Sequence, residues 1–195
     1  MEQLRELWLI RHGETEWTLS GAHTGRTDIP LTPRGKERAQ AIGEYLAGKQ
    51  FSLVLSSPLQ RARETCLIAG FSHVAVIDDD LREWDYGGYE GLKTAEIREE
   101  QPDWVLWRDG VPGGETIAEV GVRAQRVIER SFAFGGAVAL FAHGHILRIL
   151  TAGWLGLPPE GGRLFALGTG TLSTLGFERD TRVIQRWNRS FEELD

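Results

Sequence analysis

Side chains that could transfer a phosphoryl group follow the apolar segments of this sequence. They are Arg11, His12, Arg61, Glu83 and His143. Planar guanidinium groups bind the oxygens of a phosphomonoester dianion in pairs, and a neutral imidazole can attack phosphorus to form a covalent intermediate. A carboxylic acid with a raised pKa can give a proton to the departing alkoxide. Because nothing in this scheme needs a metal, we expect neither a metal nor a cofactor.

Three apolar segments, 7–10, 51–55 and 137–142, have the length and composition of buried strands. We predict strands at 7–10, 51–55, 74–77 and 137–142, and a final pair at 171–177 and 182–187. Between them, the apolar spacing and the capping residues predict helices at 33–48, 58–70, 116–132 and 145–155. Alternating strands and helices predict an α/β fold: a three-layer α/β/α sandwich around a mostly parallel sheet. The final pair would add an antiparallel edge.

Ligands of such sheets bind beyond the carboxyl ends of the strands, which is where the candidate side chains fall. The segment 78–115 lacks a clear period and is rich in glycine, aromatic and charged residues. We expect it to form loops and one or two short helices that make a small cap over the active site. With no linker or repeat in the sequence, residues 1–195 are expected to form a single domain.

Composition excludes several classes of protein. The net charge is −6, from 22 basic and 28 acidic residues, whereas a nucleic-acid partner usually requires a basic surface. No apolar run approaches the roughly 20 residues of a membrane helix. The single cysteine, Cys66, excludes an internal disulfide and agrees with a reducing compartment. We therefore expect a cytoplasmic protein that acts on a small molecule, as a monomer or a homodimer.

The segments around the candidate residues resemble the histidine phosphatase superfamily, which includes cofactor-dependent phosphoglycerate mutases. Residues 11–15, Arg-His-Gly-Glu-Thr, resemble its signature, and 55–62, 83–91 and 142–145 are similar to its later blocks. The resemblance implies that His12 is the nucleophile and that Arg11, Arg61 and His143 hold the phosphoryl oxygens. It also implies that Glu83 is the proton donor and then the base that activates water.

The same resemblance implies a set of substrate contacts. They are Thr24, the Gly25 backbone, Tyr86, the Gly144 backbone and His145. The spacing His-Gly-His-x-x-Arg is similar to a branch that acts on sugar phosphates. By that likeness Arg148 is a candidate for a second anion site.

The chain departs from the mutases in two places. It carries Thr18 where the mutases carry asparagine, and its segment from Glu83 to His143 is shorter than theirs. A shorter insert predicts a more open site, where water takes the phosphoryl group. We therefore expect a phosphatase for small phosphorylated metabolites, in particular sugar phosphates.

Other interpretations stay open at this point. A phosphoglycerate mutase would use the same phosphohistidine, and a non-catalytic relative would only bind phosphorylated ligands. His143 and His145 together with the acidic run 78–80 could instead indicate a metallohydrolase. Chemistry alone also leaves the proton donor open, because five other acidic residues lie between 78 and 90.

Overall fold

One mixed sheet of six strands forms the centre of the computed structural model, which describes residues 4–191. In chain order the strands are β1 (Leu4–Arg11), β2 (Leu53–Ser56), β3 (Ala75–Ile77), β4 (Gly136–Ala142), β5 (Leu172–Glu178) and β6 (Thr181–Arg189). Side by side they lie in the order β3-β2-β4-β1-β5-β6. β1 to β4 are mutually parallel, whereas β5 runs antiparallel to β1 and to β6. The prediction of a mostly parallel sheet with an antiparallel edge is confirmed.

Helices cover both faces of this sheet. They are α1 (Glu16–Ser20), α2 (Pro33–Leu46), α3 (Gln60–Ile68), α4 (Thr94–Glu100), α5 (Leu106–Asp109), α6 (Ile117–Phe134) and α7 (Gly144–Trp154). Three short 3-10 helices lie at Asp79–Leu81, Gly87–Tyr89 and Pro159–Leu164.

The alternation of side chains along β1 separates the two layers of the core. Leu7 and Leu9 pack with buried residues of α6 and α7, whereas Trp8 and Ile10 pack with Ile42 of α2 and with α3. Successive side chains of a strand point to opposite faces, so one apolar run can line both interfaces. The three-layer sandwich follows from this pattern.

Local sequence signals set the ends of the long helices. Thr32 accepts a hydrogen bond from the Gly35 backbone and Pro33 begins α2, a combination that favours a helix start. α1 was not predicted. It has only five residues, too few for an apolar period, and it depends on reciprocal bonds between Thr15 and Thr18. α3 begins at Gln60, two residues after the predicted start.

The segment 78–115 forms two of the 3-10 helices, α4 and α5, so it has four short helices where one or two were expected. Its larger apolar side chains, Trp84, Ile97, Trp104 and Leu106, belong to the same core cluster as α6 and α7. The segment is therefore packed onto the sandwich. No helix within residues 4–191 is long and apolar enough to cross a membrane.

Candidate active site

Two histidines meet at the carboxyl ends of β1 and β4. The strands are neighbours and parallel, with Arg11 opposite Ala142, so the residue after each strand lies at the same edge of the sheet. The His12 backbone N–H donates to the Ala142 carbonyl at 3.0 Å. The ring centroids of His12 and His143 are consequently 5.1 Å apart, as the rule for parallel sheets predicts.

His12 is held as a neutral ring with one nitrogen available. Its Nδ1 lies 2.7 Å from the Gly13 carbonyl oxygen, which can only accept, so Nδ1 carries the proton. Burial lowers the pKa of His12 well below its usual value, and the charges of Arg61 and Arg11 lower it further, against the bond to the Gly13 carbonyl. The unprotonated Nε2 is therefore available as a nucleophile on a ring that lines the cavity.

Arg61 is fully buried behind the histidines. Its Nη1 donates to the Thr27 carbonyl at 3.0 Å, and its Nη2 donates to the carbonyls of Thr24 and Gly25 at 3.1 and 2.9 Å. Its Nε donates to Nδ1 of His143 at 3.1 Å. Four of the five N–H donors of a guanidinium are thus engaged within the described residues. Neither Arg61 nor His143 is among the residues that line the cavity.

The bond from Arg61 also determines the proton position on His143. Because Nδ1 accepts from Arg61, Nε2 carries the proton and donates to Ser57 Oγ at 2.7 Å. Burial lowers the pKa of His143 well below its usual value, and Arg61 and His12 lower it further. Ser57 follows β2 and was not singled out from the sequence, since its partner comes from a distant strand.

Arg11 lines the cavity beside His12. One Nη donates to the Leu167 carbonyl, while Nε is buried and has no hydrogen-bond partner among residues 4–191. A buried donor without an acceptor costs free energy, so an anionic oxygen bound there would be stabilised. Gly144 allows this approach, because an added Cβ would lie 3.2 Å from Arg11 Cζ.

Glu83 is fixed against the start of α7. One carboxylate oxygen accepts from the backbone N–H groups of Trp84 and Ile146, and the other accepts from that of His145, each at 3.0 Å. The side chain is only 6% exposed and lines the cavity. The structure thus brings Glu83 to the same cavity as His12, which the sequence alone could not establish.

Tyr86 and His145 form a second fixed pair in the wall. Burial lowers the pKa of His145 well below its usual value, so the ring is neutral, and its Nδ1 is hydrogen-bonded to the Tyr86 hydroxyl at 2.6 Å. Burial also raises the pKa of Tyr86 well above its usual value, with the charge of Glu83 acting in the same direction. The Tyr86 hydroxyl therefore stays protonated over the ordinary pH range.

The active-site cavity has a volume of about 560 Å³, within the usual range for small-molecule sites. Six of the predicted residues line it, namely Arg11, His12, Thr24, Glu83, Tyr86 and His145. Further lining residues were not predicted, notably Thr18, His23, Thr94, Arg98, Trp104 and Trp107. Several of these belong to the aromatic-rich segment 78–115, whose composition was the available signal.

Other predicted contacts lie behind the cavity wall. The Gly25 N–H donates to the Glu90 carboxylate at 2.9 Å, so it is already engaged, while the Gly25 carbonyl serves Arg61. The Arg148 guanidinium carbon lies 4.6 Å from the ring centroid of Trp107, and its Nε donates to the Gly162 carbonyl at 3.2 Å. Arg148 is therefore placed behind Trp107, outside the side chains that line the cavity.

The candidate metal ligands have other partners. His143 binds Ser57, and the acidic run is paired with arginines of α6: Asp78 with Arg130, and Asp80 with Arg126. Within residues 4–191, no group of three or more His, Cys, Asp or Glu side chains could hold a metal ion.

The structure is a three-layer sandwich with a neutral histidine, two guanidinium groups and a carboxylate near the carboxyl ends of its parallel strands. The family model described as the histidine phosphatase superfamily (branch 1) matches residues 7–190. The chain belongs to this superfamily.

Individual relatives agree with that membership. An acid phosphatase of Mycobacterium tuberculosis is 38% identical over 182 residues, covering 91% of this chain and 89% of that protein. The sedoheptulose 1,7-bisphosphatase of Saccharomyces cerevisiae is 39% identical over 182 residues, covering 76% of this chain and 67% of that protein. A 2,3-bisphosphoglycerate-dependent phosphoglycerate mutase of Mesorhizobium japonicum is 33% identical over 201 residues, covering 93% of this chain and 97% of that protein.

The fold agrees as well. The solved structure of an open reading frame from Mycobacterium tuberculosis superposes with a TM-score of 0.90 at 35% identity, covering 96% of this chain and 99% of that one. The expectation of a phosphoric monoester hydrolase is confirmed by the superfamily and by the relatives named as phosphatases.

Proposed function

We propose that this enzyme hydrolyses phosphomonoesters of small metabolites through a phosphohistidine on His12. The observation that carries the proposal is the state of that ring: neutral, with Nδ1 bound to the Gly13 carbonyl and Nε2 free beside the cavity. The unpaired Nε–H of Arg11 lies next to it as a donor for a phosphoryl oxygen. These two features supply a nucleophile and a positive charge at the cavity.

The first step forms the bond between Nε2 of His12 and phosphorus and breaks the bond from phosphorus to the ester oxygen. The departing oxygen takes a proton from Glu83 in its acid form. In the second step Glu83 accepts a proton from water, whose oxygen attacks phosphorus and displaces His12. The positive charges of Arg11 and Arg61 stabilise the negative charge on the transferred oxygens. His143 is neutral and bonded to Arg61 and Ser57, so its part is to hold the Arg61 guanidinium in place.

The substrate class we favour is sugar phosphates and similar polyols. Two rings, Trp104 and Trp107, line the cavity and offer apolar faces for the carbon skeleton. Thr24, Tyr86, His145 and the Gly144 backbone remain our candidates for polar contacts. The relative named for a sugar bisphosphate supports the same class.

A phosphoglycerate mutase is the second candidate, because relatives of that name cover nearly the whole chain. A mutase would release little free phosphate and would depend on a bisphosphoglycerate primer. Incubation with phosphoglycerate, with and without primer, and measurement of isomer and of free phosphate separates the two. Isomerisation without phosphate release would overturn the hydrolase proposal.

The mechanism is tested with a panel of phosphorylated metabolites, with and without a chelator, using His12→Ala. His73→Ala is the matched control, because His73 is exposed and lies outside the cavity. We expect phosphate release to persist with chelator, to vanish in His12→Ala and to be unchanged in His73→Ala. The wild-type phosphoenzyme should be labile to acid and stable to base. Retained activity in His12→Ala would refute the nucleophile assignment.

A further inference from the structure

The cavity extends beyond the phosphoryl-transfer groups into walls that belong to the cap segment. Arg11 and His12 come from the sheet edge, whereas Arg98, Trp104 and Trp107 come from α4, α5 and the turn between them. A volume of about 560 Å³ exceeds what one phosphoryl group fills, so the cap walls contact the remainder of the substrate.

Arg98, which is exposed to solvent, brings a positive charge to this outer part. Its Nε donates to the Trp104 carbonyl at 3.0 Å, which orients the guanidinium plane. Its two Nη atoms have no hydrogen bond or ion pair among the described residues. The only acidic side chain lining the cavity within that part of the chain is Glu83, whose oxygens already accept three backbone N–H groups.

His23 supplies an acceptor in the same part of the wall. Its Nδ1 lies 2.9 Å from the Leu92 carbonyl and therefore carries the proton. Burial lowers the pKa of His23, so the ring is neutral and Nε2 is a lone-pair acceptor. Its ring also packs edge-on against Trp104, with centroids 5.6 Å apart. A neutral acceptor beside aromatic rings suits a hydroxyl-bearing carbon chain.

We propose that the preferred substrate carries a second anionic group, a phosphate or a carboxylate, and that Arg98 binds it. The free Nη atoms of an oriented guanidinium match the paired oxygens of either group. His23 accepts from a hydroxyl between the two ends. Arg148 cannot occupy this place without leaving Trp107 and the Gly162 carbonyl. The inference rests on the proposed hydrolysis at His12 and names its substrate class.

The test compares substrates that differ only in the second anion. Fructose 1,6-bisphosphate is paired with fructose 6-phosphate, and 3-phosphoglycerate with glycerol 3-phosphate, so the two arms separate a phosphate from a carboxylate. Arg98→Met is compared with Arg63→Met, which removes an exposed arginine of α3 outside the active-site cavity. We expect Arg98→Met to lower kcat/KM for one doubly anionic substrate by about 10- to 100-fold, mainly through KM. The kcat/KM for the singly anionic member of the pair should change less than about twofold, since a substitution that does not contact the bound substrate has a small effect.

Equal kcat/KM for both members of each pair in the wild type would overturn the inference and leave hydrolysis intact. A selective loss of kcat/KM for the doubly anionic substrates in Arg148→Met, and not in Arg98→Met, would overturn the inference as well. If no substrate is hydrolysed, the proposed function fails, and binding then decides the inference separately. In that case calorimetry with fructose 1,6-bisphosphate must show weaker binding to the Arg98→Met variant than to the Arg63→Met variant. Equal affinities of the two variants would refute the inference about Arg98.

Discussion

Glu83→Gln separates the structural task of this carboxylate at the start of α7 from the proton transfer that we propose for it. An amide oxygen can keep the bonds from Trp84 and Ile146, but the amide nitrogen then faces the His145 N–H, which loses its acceptor. An unsatisfied buried N–H costs about 1–3 kcal/mol, and loss of the charge at the start of α7 costs about 0.3–1 kcal/mol more. Since 1 kcal/mol shifts Tm by about 2–4 °C in a domain of this size, a decrease of several degrees is expected.

The effect on catalysis should depend on the leaving group. With an alkyl phosphate, loss of proton donation is expected to lower the rate by about 10²- to 10⁴-fold. With nitrophenyl phosphate the first step needs no proton, because the phenolate is a stable leaving group. Hydrolysis of the phosphoenzyme still needs the base, so nitrophenolate should appear in a rapid burst followed by slow turnover.

Stopped-flow absorbance and trapping of labelled phosphoenzyme measure these two steps. Glu119→Gln is the control for stability, because Glu119 caps α6 through the Thr116 N–H and lies outside the cavity. It should lower Tm without changing the burst or the turnover. An equal loss in the burst rate for alkyl and nitrophenyl substrates would refute the proton-transfer role and leave Glu83 only a structural one.

Three further predictions concern the groups around the phosphate site. The pKa values of His12 and His143 lie well below 6.5 in the folded protein, so the unfolded chain binds more protons in acid. The Tm should therefore decrease as the pH falls below about 6.5. A thermal scan in which the Tm rises over this range would contradict the prediction. Gly13→Ala places a Cβ 2.3 Å from the Gly35 carbonyl oxygen and should cost about 1–3 kcal/mol in urea unfolding. Glu90→Gln weakens the bonds that the Glu90 carboxylate accepts from the Gly25 and Thr27 N–H groups, and the carbonyls of these two residues hold Arg61. KM should therefore rise about tenfold, and an unchanged KM would refute this positioning role of Glu90.

The sheet and its reactive edge could be predicted because they follow from short-range patterns. Apolar runs predicted β1, β2 and β4 as buried strands, and the residue after a parallel strand must lie at the carboxyl edge. The apolar run of β3 also forms a strand, but at the sheet edge it is largely exposed. His12 and His143 were therefore predictable as neighbours, although 131 positions separate them in the sequence. No distance between side chains was required for that inference.

The outer wall was not predictable in the same way. Arg98 and His23 lie in segments without a strong apolar period, and their directions depend on how the cap packs on α6 and α7. Arg148 illustrates the same limit from the other side: its spacing places it on α7, but its long side chain bends toward the Pro159–Leu164 turn. Long-range backbone partners decide where such flexible cations point.

Burial links the reactivity of the site to its affinity for phosphate. Arg11 and Arg61 are buried, which lowers the pKa of each guanidinium, yet both remain charged because arginine titrates far above neutral pH. The same burial and the same charges keep His12 neutral and nucleophilic. In the proposed reaction a phosphate dianion compensates these two positive charges, whereas a protonated His12 would add a third. The environment that favours the substrate is thus also the one that holds the nucleophile in its reactive form.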